Sequence, residues 1–435
     1  MTSAPEPVRE RQAKAEIGHT DVTRPVAAYL VAVLLAIIAI VPAIQIASGR
    51  PLGVEAARQV EPTIPAAWRE GGLFAANRAL LAKMHRFEDT LERESWLSEA
   101  LLPPAQRVLL LLGAGNEQVY PGREGWLFFR PDIDYATGPG FLWPTVLERR
   151  ARSGDAWTPA PQPDPVVAIL ELAGQLERRG IALVVLPAPV KPALHPERFS
   201  PRAPAARIHR GAARLANPSF PVFRERLSAA GIQVVDVAPA LIEAREARGL
   251  DPLYLARDTH WTPAAVEVVA RQLAAAVTPL LPPQPSAGYR RVGVEVTGTG
   301  DLTAMLTLPR DLRLYPPQRI RVQRVLEADR RAWEPRADAD LLLLGDSFTN
   351  VYSQPDLGWG EGAGLAEQLS YELQRPVDRI AINAGGAWSA RERLAAELRR
   401  GNDRLAGKRV VVYEFAAREL TSGDWRRIEL REPQR

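Results

Sequence analysis

The chain has 435 residues, enough for two domains of ordinary size or for one large α/β domain, and its 46% hydrophobic and 24% charged residues exclude a disordered chain. A formal net charge of only +4, with basic residues scattered among acids, gives no reason to expect a nucleic-acid partner. The absence of cysteine excludes disulfides, cysteine nucleophiles and thiolate metal sites.

The first predicted element is an uncharged run from Val26 to Ala47, VAAYLVAVLLAIIAIVPAIQIA. As a helix it would be roughly 33 Å long, enough to cross a hydrocarbon core of about 30 Å. The alternatives are a buried helix of a soluble domain, which usually has a polar face, and a cleavable signal peptide, which has a shorter apolar core. Basic residues are more numerous before the run than directly after it. We therefore expect 1–25 to be a cytoplasmic tail and 26–47 an uncleaved, single-pass anchor in the inner membrane.

The segments after the anchor predict a tether and then a folded domain. Residues 48–66 are rich in Pro, Gly and small polar side chains, and 68–100 carry apolar side chains among charges, as a helical region does. Gly122–Phe129 (GREGWLFF) predicts a turn leading into a short aromatic strand, which we interpret as a core hairpin. Ala151–Pro165 is a Pro-rich connection. Residues 67–430 are expected to form one domain in the periplasm.

From Val166 onward, short apolar strands alternate with helices. Strands are predicted at Ala182–Leu186, Ile232–Val237, Leu341–Leu344, Arg379–Ile382 and Arg409–Tyr413. Helices are predicted at Val166–Arg179, Phe223–Ala230, Pro239–Arg248, Glu361–Gln374 and Ala390–Arg400. Residues 285–335 contain two alternating strands and are interpreted as an insertion or edge element. Continuous apolar strands between helices predict a parallel sheet covered by helices on both faces, an α/β fold.

The candidate nucleophile is Ser347, in the run LLLLGDSF that begins at Leu341. An all-apolar strand ends in Gly345-Asp346-Ser347, and ligands of open parallel sheets bind beyond the carboxyl ends of the strands. Gly345 would relieve steric pressure at this turn and is a candidate oxyanion or binding residue, and the Ser347 backbone N–H could donate to an oxyanion. A Gly-Asp-Ser triplet alone is weak evidence, because a turn followed by a helix cap gives the same pattern.

A serine nucleophile needs a base, and the chain has five histidines. His260 stands two residues after Asp258 and just before Thr262 and Pro263, which predict a helix N-cap and first helical residue. An acid at this spacing can accept the Nδ1–H of the imidazole and hold its tautomer. The alternative is a loop carboxylate beside a structural histidine. The other four are on the tail, on the membrane-proximal helical region and in a Pro- and Arg-rich loop region: His19, His85, His195 and His209.

Asn383 is a further candidate, in the run AINAGG at the end of the strand that follows Ser347. A side-chain amide at a neighbouring strand end could donate to an oxyanion, and a turn residue is the alternative. The order along the chain is Asp258, His260, then Ser347, which is permitted because such triads are defined by geometry and roles.

Together these residues resemble the SGNH hydrolase-like domain of the alginate O-acetyltransferase AlgX/AlgJ family. The GDSF block ending at Phe348 is similar to its nucleophile block, and Asp258–Trp261 (DTHW) to its Asp-x-His-Trp block, in the inverted order that separates this family from GDSL esterases. Further similar blocks occur between residues 68 and 420: Gly125–Phe129, Leu186–Lys191, His195–Glu197, Val234–Asp236 and Gly300–Leu302.

The resemblance implies a flavodoxin-like α/β sandwich and acetyl transfer onto polysaccharide hydroxyls outside the inner membrane. It implies Ser347 as nucleophile, His260 as base, Asp258 as its orienting acid and Asn383 as an oxyanion donor. The stretch after Ser347 is too short for the carbohydrate-binding module of AlgX-type members, so with its anchor the chain is more similar to the AlgJ type. Such proteins act beside a multipass membrane-bound O-acyltransferase, which is the implied acetyl donor.

The predicted mechanism has two steps, acetylation of Ser347 and then attack by a sugar hydroxyl, and needs neither a metal nor a cofactor. Two alternatives stay open at this point. A carbohydrate acetyl esterase would use the same residues, because only the second acceptor differs. A non-catalytic scaffold of a polysaccharide secretion complex would use none of them. The polymer, which we expect to be alginate or a similar exopolysaccharide, is not identified by the residues.

Overall fold

The computed structural model describes residues 23–49, 63–154, 159–200, 215–309 and 314–431. They form two compact units, one ending at Leu102 and the other beginning at Pro103. Nearly all of the predicted tail, most of the predicted tether, His19 and His209 lie outside the described residues.

The first unit contains helix α1, Arg24–Ala47, helix α2, Ile64–Arg93, and the start of helix α3, Trp96–Leu111. Within the described residues, α1 is the one helix long and apolar enough to cross a membrane. The helical region predicted over 68–100 is two helices, and α2 is bent at Gly71 and Gly72, which have non-helical backbone angles. Two adjacent glycines allow this bend because they lack a Cβ.

The second unit is built on a five-stranded parallel sheet in the order β4-β3-β9-β7-β8. Its strands are β3 Ala182–Ala188, β4 Gln233–Val234, β7 Leu341–Gly345, β8 Asp378–Ala381 and β9 Val410–Ala416. The last strand of the chain thus lies between β3 and β7. The predicted parallel sheet is confirmed.

Helices cover both faces of this sheet, as its continuous apolar strands predict. Leu341 and Leu343 of β7 face one core, whereas Leu342 and Leu344 face the other, and all four are fully buried. The helices of the second unit, after α3, are α4 Arg130–Thr137, α5 Pro144–Ala151, α6 Pro165–Glu177, α7 Lys191–Leu194, α8 Pro196–Phe199, α9 Phe220–Ala229, α10 Ala238–Arg248, α11 Pro263–Val277, α12 Asp301–Met305, α13 Ser347–Asn350, α14 Leu365–Leu373, α15 Ser389–Arg399 and α16 Glu419–Ser422. Two 3₁₀ turns are Thr278–Leu280 and Pro355–Leu357.

Two antiparallel pairs flank the main sheet. The predicted core hairpin is strand β1, Val119–Pro121, paired with β2, Leu127–Phe129. Residues 285–335 hold a two-stranded ribbon of β5, Arg290–Gly298, and β6, Gln318–Leu326. This ribbon forms a separate two-stranded sheet, in agreement with the prediction of an insertion or edge element.

Several predicted elements differ from the structure at their ends, and two of these differences have a local cause. The strand predicted over Ile232–Val237 is only the edge strand β4, because the Oδ1 atom of Asp236 accepts a hydrogen bond from Ala238 N at 3.2 Å and turns the chain into α10. The helix predicted from Glu361 begins at Leu365, since Gly362 has a φ of +73°.

Candidate active site

Ser347 lies just beyond the carboxyl end of strand β7. Strand β7 is wholly buried up to Gly345, Asp346 turns the chain, and Ser347 begins α13. The Asp346 carboxylate accepts hydrogen bonds from Phe348 N at 2.7 Å and from Ala416 N, at the end of β9, at 2.9 Å. These two bonds fix the turn, so the serine is held beyond the strand end, where open parallel sheets bind ligands.

The loop before α11 brings His260 and Asp258 to the same place. The imidazole Nε2 lies 2.8 Å from Ser347 Oγ, and Nδ1 lies 2.6 Å from Asp258 Oδ1. Both residues are buried. Pro263 begins α11 as predicted, but the Thr262 hydroxyl does not cap it; this hydroxyl donates to Pro252 O at 3.0 Å. The structure thus joins three of the predicted site residues in one chain of hydrogen bonds.

Asp258 is held as a carboxylate by four donors. The His260 ring and its backbone N–H reach Oδ1, while Trp359 Nε1 at 2.8 Å and Asp301 N at 3.0 Å donate to Oδ2. Burial favours the neutral acid, but the His260 charge and these hydrogen bonds outweigh it and lower the pKa of Asp258 below its ordinary value. Asp258 is therefore ionised at neutral pH and can orient the imidazole.

The pKa of His260 is shifted in the opposite direction. Burial alone would lower it, but the charge and the hydrogen bond of Asp258, with the charge of Asp301, raise it above the ordinary histidine value. The Phe348 ring packs against the imidazole with 4.8 Å between ring centroids. An imidazole of raised pKa is the stronger base, but it is neutral only at a pH above that raised value.

Asp301 holds the loop that carries His260 through hydrogen bonds to Thr259, which the sequence did not predict. Its Oδ1 accepts from Thr259 N at 2.8 Å and its Oδ2 from Thr259 Oγ1 at 2.5 Å. The preceding Gly300 has a φ of +84°, and a Cβ there would lie 2.2 Å from Arg257 O. The motif around Gly300 therefore has a physical reason: only glycine lets Asp301 approach the loop this closely.

The same residues have the spacing of a metal site, since ligand atoms of Asp258, His260 and Asp301 all lie within 4.8 Å of one another. Each atom already has hydrogen-bond partners in the loop, and Nδ1 of His260 is shared with Asp258 at 2.6 Å. A cation bound to Nδ1 would replace the bond that orients the imidazole toward Ser347. We therefore assign these side chains to hydrogen bonding.

The two candidate oxyanion residues occupy different positions. The Asn383 side chain donates to Gln354 Oε1 at 2.6 Å and accepts from Asn350 Nδ2 at 2.9 Å, and Asn350 belongs to the same short helix as Ser347. An amide nitrogen carries two hydrogens, so one further donor is available to it. Gly345 instead serves packing: its carbonyl accepts from Ile382 N at 3.1 Å, and its missing side chain makes room for its neighbours.

Gly345→Ala is expected to destabilise the second unit by about 2 kcal/mol or more, because overpacking a close-packed core is costly. A Cβ at Gly345 would lie 2.2 Å from Thr349 Oγ1 and 2.9 Å from Glu414 Oε2. Thermal unfolding should show a midpoint several degrees lower. The control is Gly174→Ala in α6, where a Cβ would meet nothing within 4 Å. Equal midpoints for the two variants would contradict this packing argument.

Lys191 connects three segments beneath the site. Its Nζ donates to Leu127 O at 2.6 Å, Ala256 O at 2.9 Å and Asp258 O at 3.0 Å, and its side chain is fully buried. Burial lowers the pKa of Lys191 to about 7 despite the nearby charge of Asp258.

His195 is also buried and structural rather than part of an open loop, since its Nε2 accepts from Leu253 N at 3.0 Å.

Arg418, just after β9, places a cation against Phe348, the residue that follows the serine. Its guanidinium lies over the Phe348 ring at 5.4 Å and the Phe129 ring at 5.2 Å, and it bonds the buried Asp132 at 3.1 Å. Its side chain is 13% exposed. No sequence pattern pointed to this residue, because Arg is common throughout the chain.

Trp359→Phe is expected to lower kcat about tenfold, equal to roughly 1.4 kcal/mol, with KM little changed, because it removes one donor to the Asp258 carboxylate. Steady-state kinetics on the purified chain checks this. Trp143→Phe, at a position 49% exposed, is the matched control and should leave kcat unchanged. A Trp359→Phe enzyme with wild-type kcat would show that this hydrogen bond has no role in orienting the acid.

Comparison with known proteins places this fold in one class. Residues 119–417 match the family model described as "SGNH hydrolase-like domain, acetyltransferase AlgX". The probable alginate O-acetylase AlgJ of Pseudomonas aeruginosa is 29% identical over 286 residues, 65% of this chain and 58% of that protein. The protein of the same name from Azotobacter vinelandii is 34% identical over 146 residues, 33% of this chain and 34% of that protein. Both alignments thus span less than two thirds of these curated relatives.

Among solved structures, the O-acetyltransferase domain of Pseudomonas putida AlgJ has the same fold, with a TM-score of 0.51 and 23% identity over 70% of this chain and 93% of that chain. The fold is therefore that of an SGNH hydrolase-like α/β domain. Since the family model covers most of the chain, the protein belongs to the AlgX/AlgJ family of SGNH hydrolase-like acetyltransferase domains. The predicted family and fold class are confirmed.

Proposed function

We propose that this protein is an O-acetyltransferase that moves acetyl groups onto hydroxyls of an exported polysaccharide, with residues 67–430 as its catalytic domain. The observation that carries the proposal is the hydrogen-bonded chain from Ser347 Oγ through His260 to Asp258, with distances of 2.8 and 2.6 Å. A hydroxyl, a base and a buried carboxylate in this arrangement are what nucleophilic acyl transfer requires.

In the first step, His260 Nε2 takes the proton of Ser347 as Oγ attacks the acetyl carbonyl carbon of the donor. The backbone N–H of Ser347 and the side-chain amide of Asn383 are the proposed donors to the resulting oxyanion. When the tetrahedral intermediate collapses, the bond to the leaving group breaks and the His260 proton passes to that group. Ser347 is left as an acetyl ester, and Asp258 stays ionised throughout.

In the second step, a sugar hydroxyl attacks the ester carbonyl while His260 removes its proton. Collapse breaks the bond to Ser347 Oγ, which takes the proton back, and the acetylated sugar leaves. Water in place of the sugar would give hydrolysis by the same route, so the transferase has to exclude water from the acetylated serine.

The acceptor we propose is an acidic polysaccharide, alginate or similar. The names of the relatives support alginate. Arg418, whose guanidinium lies over the ring of Phe348, is the cation we propose to pair with a uronate carboxylate. Helix α1 would anchor the chain in the inner membrane with the catalytic domain in the periplasm. The proposed donor partner is a multipass membrane-bound O-acyltransferase that delivers acetyl groups across that membrane.

The test supplies the purified full chain with an activated acetyl ester and an acetyl-free oligouronate, a neutral oligosaccharide of equal length, or water alone. We expect acetylated oligouronate as the main product and much less acetylated neutral sugar. Acetate released to water at the same rate with and without either sugar would identify an esterase and overturn the proposal. Labelling of Ser347 by a fluorophosphonate would separate a silent scaffold, which does not react, from an enzyme.

A further inference from the structure

Helix α3 begins against the apolar helix α1. Gln45, a buried polar residue within the apolar run, donates from Nε2 to Glu94 O at 3.2 Å, and Trp96 Nε1 donates to Val41 O at 3.2 Å. At 1.5 Å per helical residue, Val41 lies about 9 Å along the helix from Ala47. With α1 spanning the bilayer, α3 therefore starts below the membrane surface, beside the anchor.

One face of α3 is exposed and apolar. Its exposed large side chains are Leu101 (58%), Leu102 (41%), Val108 (56%), Leu109 (38%) and Leu111 (73%). At about 100° per residue these positions fall within an arc of roughly 180°. The polar side chains Glu99, Gln106 and Arg107 fall outside that arc, whereas the half-buried Ser98 falls within it. Exposing such a contiguous apolar surface to water is unfavourable, so we expect lipid or another apolar surface to cover it.

We propose that α3 is an interfacial helix whose apolar face lies in the acyl chains of the extracytoplasmic leaflet, next to the anchor. Amphipathic helices at a membrane surface insert about 5–10 Å, which agrees with the depth of the Trp96–Val41 contact. Trp96 at the start of α3 has the chemistry of a residue at a membrane–water interface. The proposal rests on α1 spanning the membrane and is independent of the catalytic chemistry.

The composition of this face favours lipid over the transmembrane helices of a partner protein. Helix–helix interfaces in membranes are enriched in small residues that let backbones approach closely. The exposed arc of α3 instead carries large branched side chains over about half the circumference of the helix. A wide surface of Leu and Val matches fluid acyl chains, which need no particular groove.

The test uses the absence of cysteine, which makes each single-cysteine variant of the full chain uniquely labelled. Leu101→Cys and Leu109→Cys would carry an environment-sensitive fluorophore in phosphatidylcholine–phosphatidylglycerol vesicles containing lipids with a nitroxide near the headgroup or near the chain end. Arg107→Cys is the matched control on the polar face. We expect several-fold stronger quenching at 101 and 109 than at 107, and stronger quenching by the shallow nitroxide than by the deep one.

Two further positions calibrate the measurement. Ile37→Cys in α1 should be quenched by lipid, and Ser228→Cys, exposed on α9, should not. If the label at Ile37 is quenched but the labels at 101 and 109 are quenched as weakly as that at 228, the proposal is wrong. The vesicles contain no partner protein, so lipid alone has to cover the apolar face of α3. An unquenched Ile37 would overturn it as well, since the anchor would then lie outside the bilayer. Because 101 and 109 are replaced separately, misfolding of one variant leaves the other as the test.

Discussion

Ser347→Ala is expected to lower the rate of acetyl transfer by about 10⁴-fold or more, because it removes the atom that carries the acetyl group. The Oγ–Nε2 bond to His260 is the interaction lost from the folded protein, and the side chain lies at the first residue of α13 rather than in the core. The variant should therefore fold normally. Product formation on an oligouronate is the readout, with thermal unfolding as the check on folding.

Ser228→Ala is the matched control, since this serine is exposed on α9 and far along the chain from the site. It should acetylate at the wild-type rate. A Ser347→Ala enzyme that retains even a tenth of wild-type transfer would contradict the acetyl-serine route. A second nucleophile would then have to be sought near His260.

Asp258→Asn should lower kcat by about 10⁴-fold, as expected when the acid that orients a catalytic histidine becomes an amide. Asparagine presents a donor as well as an acceptor, so it can hold the imidazole in the wrong tautomer. It also removes the negative charge that stabilises the imidazolium. Asp338→Asn, at an exposed carboxylate, is the control and should have wild-type kcat.

The pH profile of this variant adds a signature that misfolding would not reproduce. In the wild type the pKa of His260 is raised, mainly by Asp258 against the effect of burial, so the neutral base is lost as pH falls through that raised value. Without the carboxylate the pKa of His260 falls, and the acid limb of residual activity should move to lower pH. An acid limb that stays in place would show that another group sets it.

Much of the sheet could be predicted from the sequence because its strands are continuous apolar runs. Strand β7 and the turn at Asp346 follow from local pattern alone, and so does the position of His260 before Pro263. That Ser347 and His260 meet did not follow from local pattern; it was predicted from the need of a serine nucleophile for a base and from the ordered blocks of the family resemblance. In the structure this meeting depends on how the loop before α11 packs against the strand ends.

Other parts of the site could not be predicted because they depend on long-range packing. Trp359 and Asp301 donate to Asp258 from segments far away in the sequence, and Lys191 donates to three backbone carbonyls in two other segments. The insertion of β9 between β3 and β7 is also a property of the whole fold. No local periodicity encodes these pairings, which form only when the complete sheet and its helices have packed.

The acetyl-serine mechanism is best tested by peptide mass spectrometry of the full chain, quenched in acid soon after mixing with an activated acetyl ester. We expect one acetyl group on the peptide containing Ser347, and its loss when an acetyl-free oligouronate is added, with acetate appearing on the sugar. Acetylated sugar formed while the Ser347 peptide stays unmodified at every time would contradict the proposed mechanism.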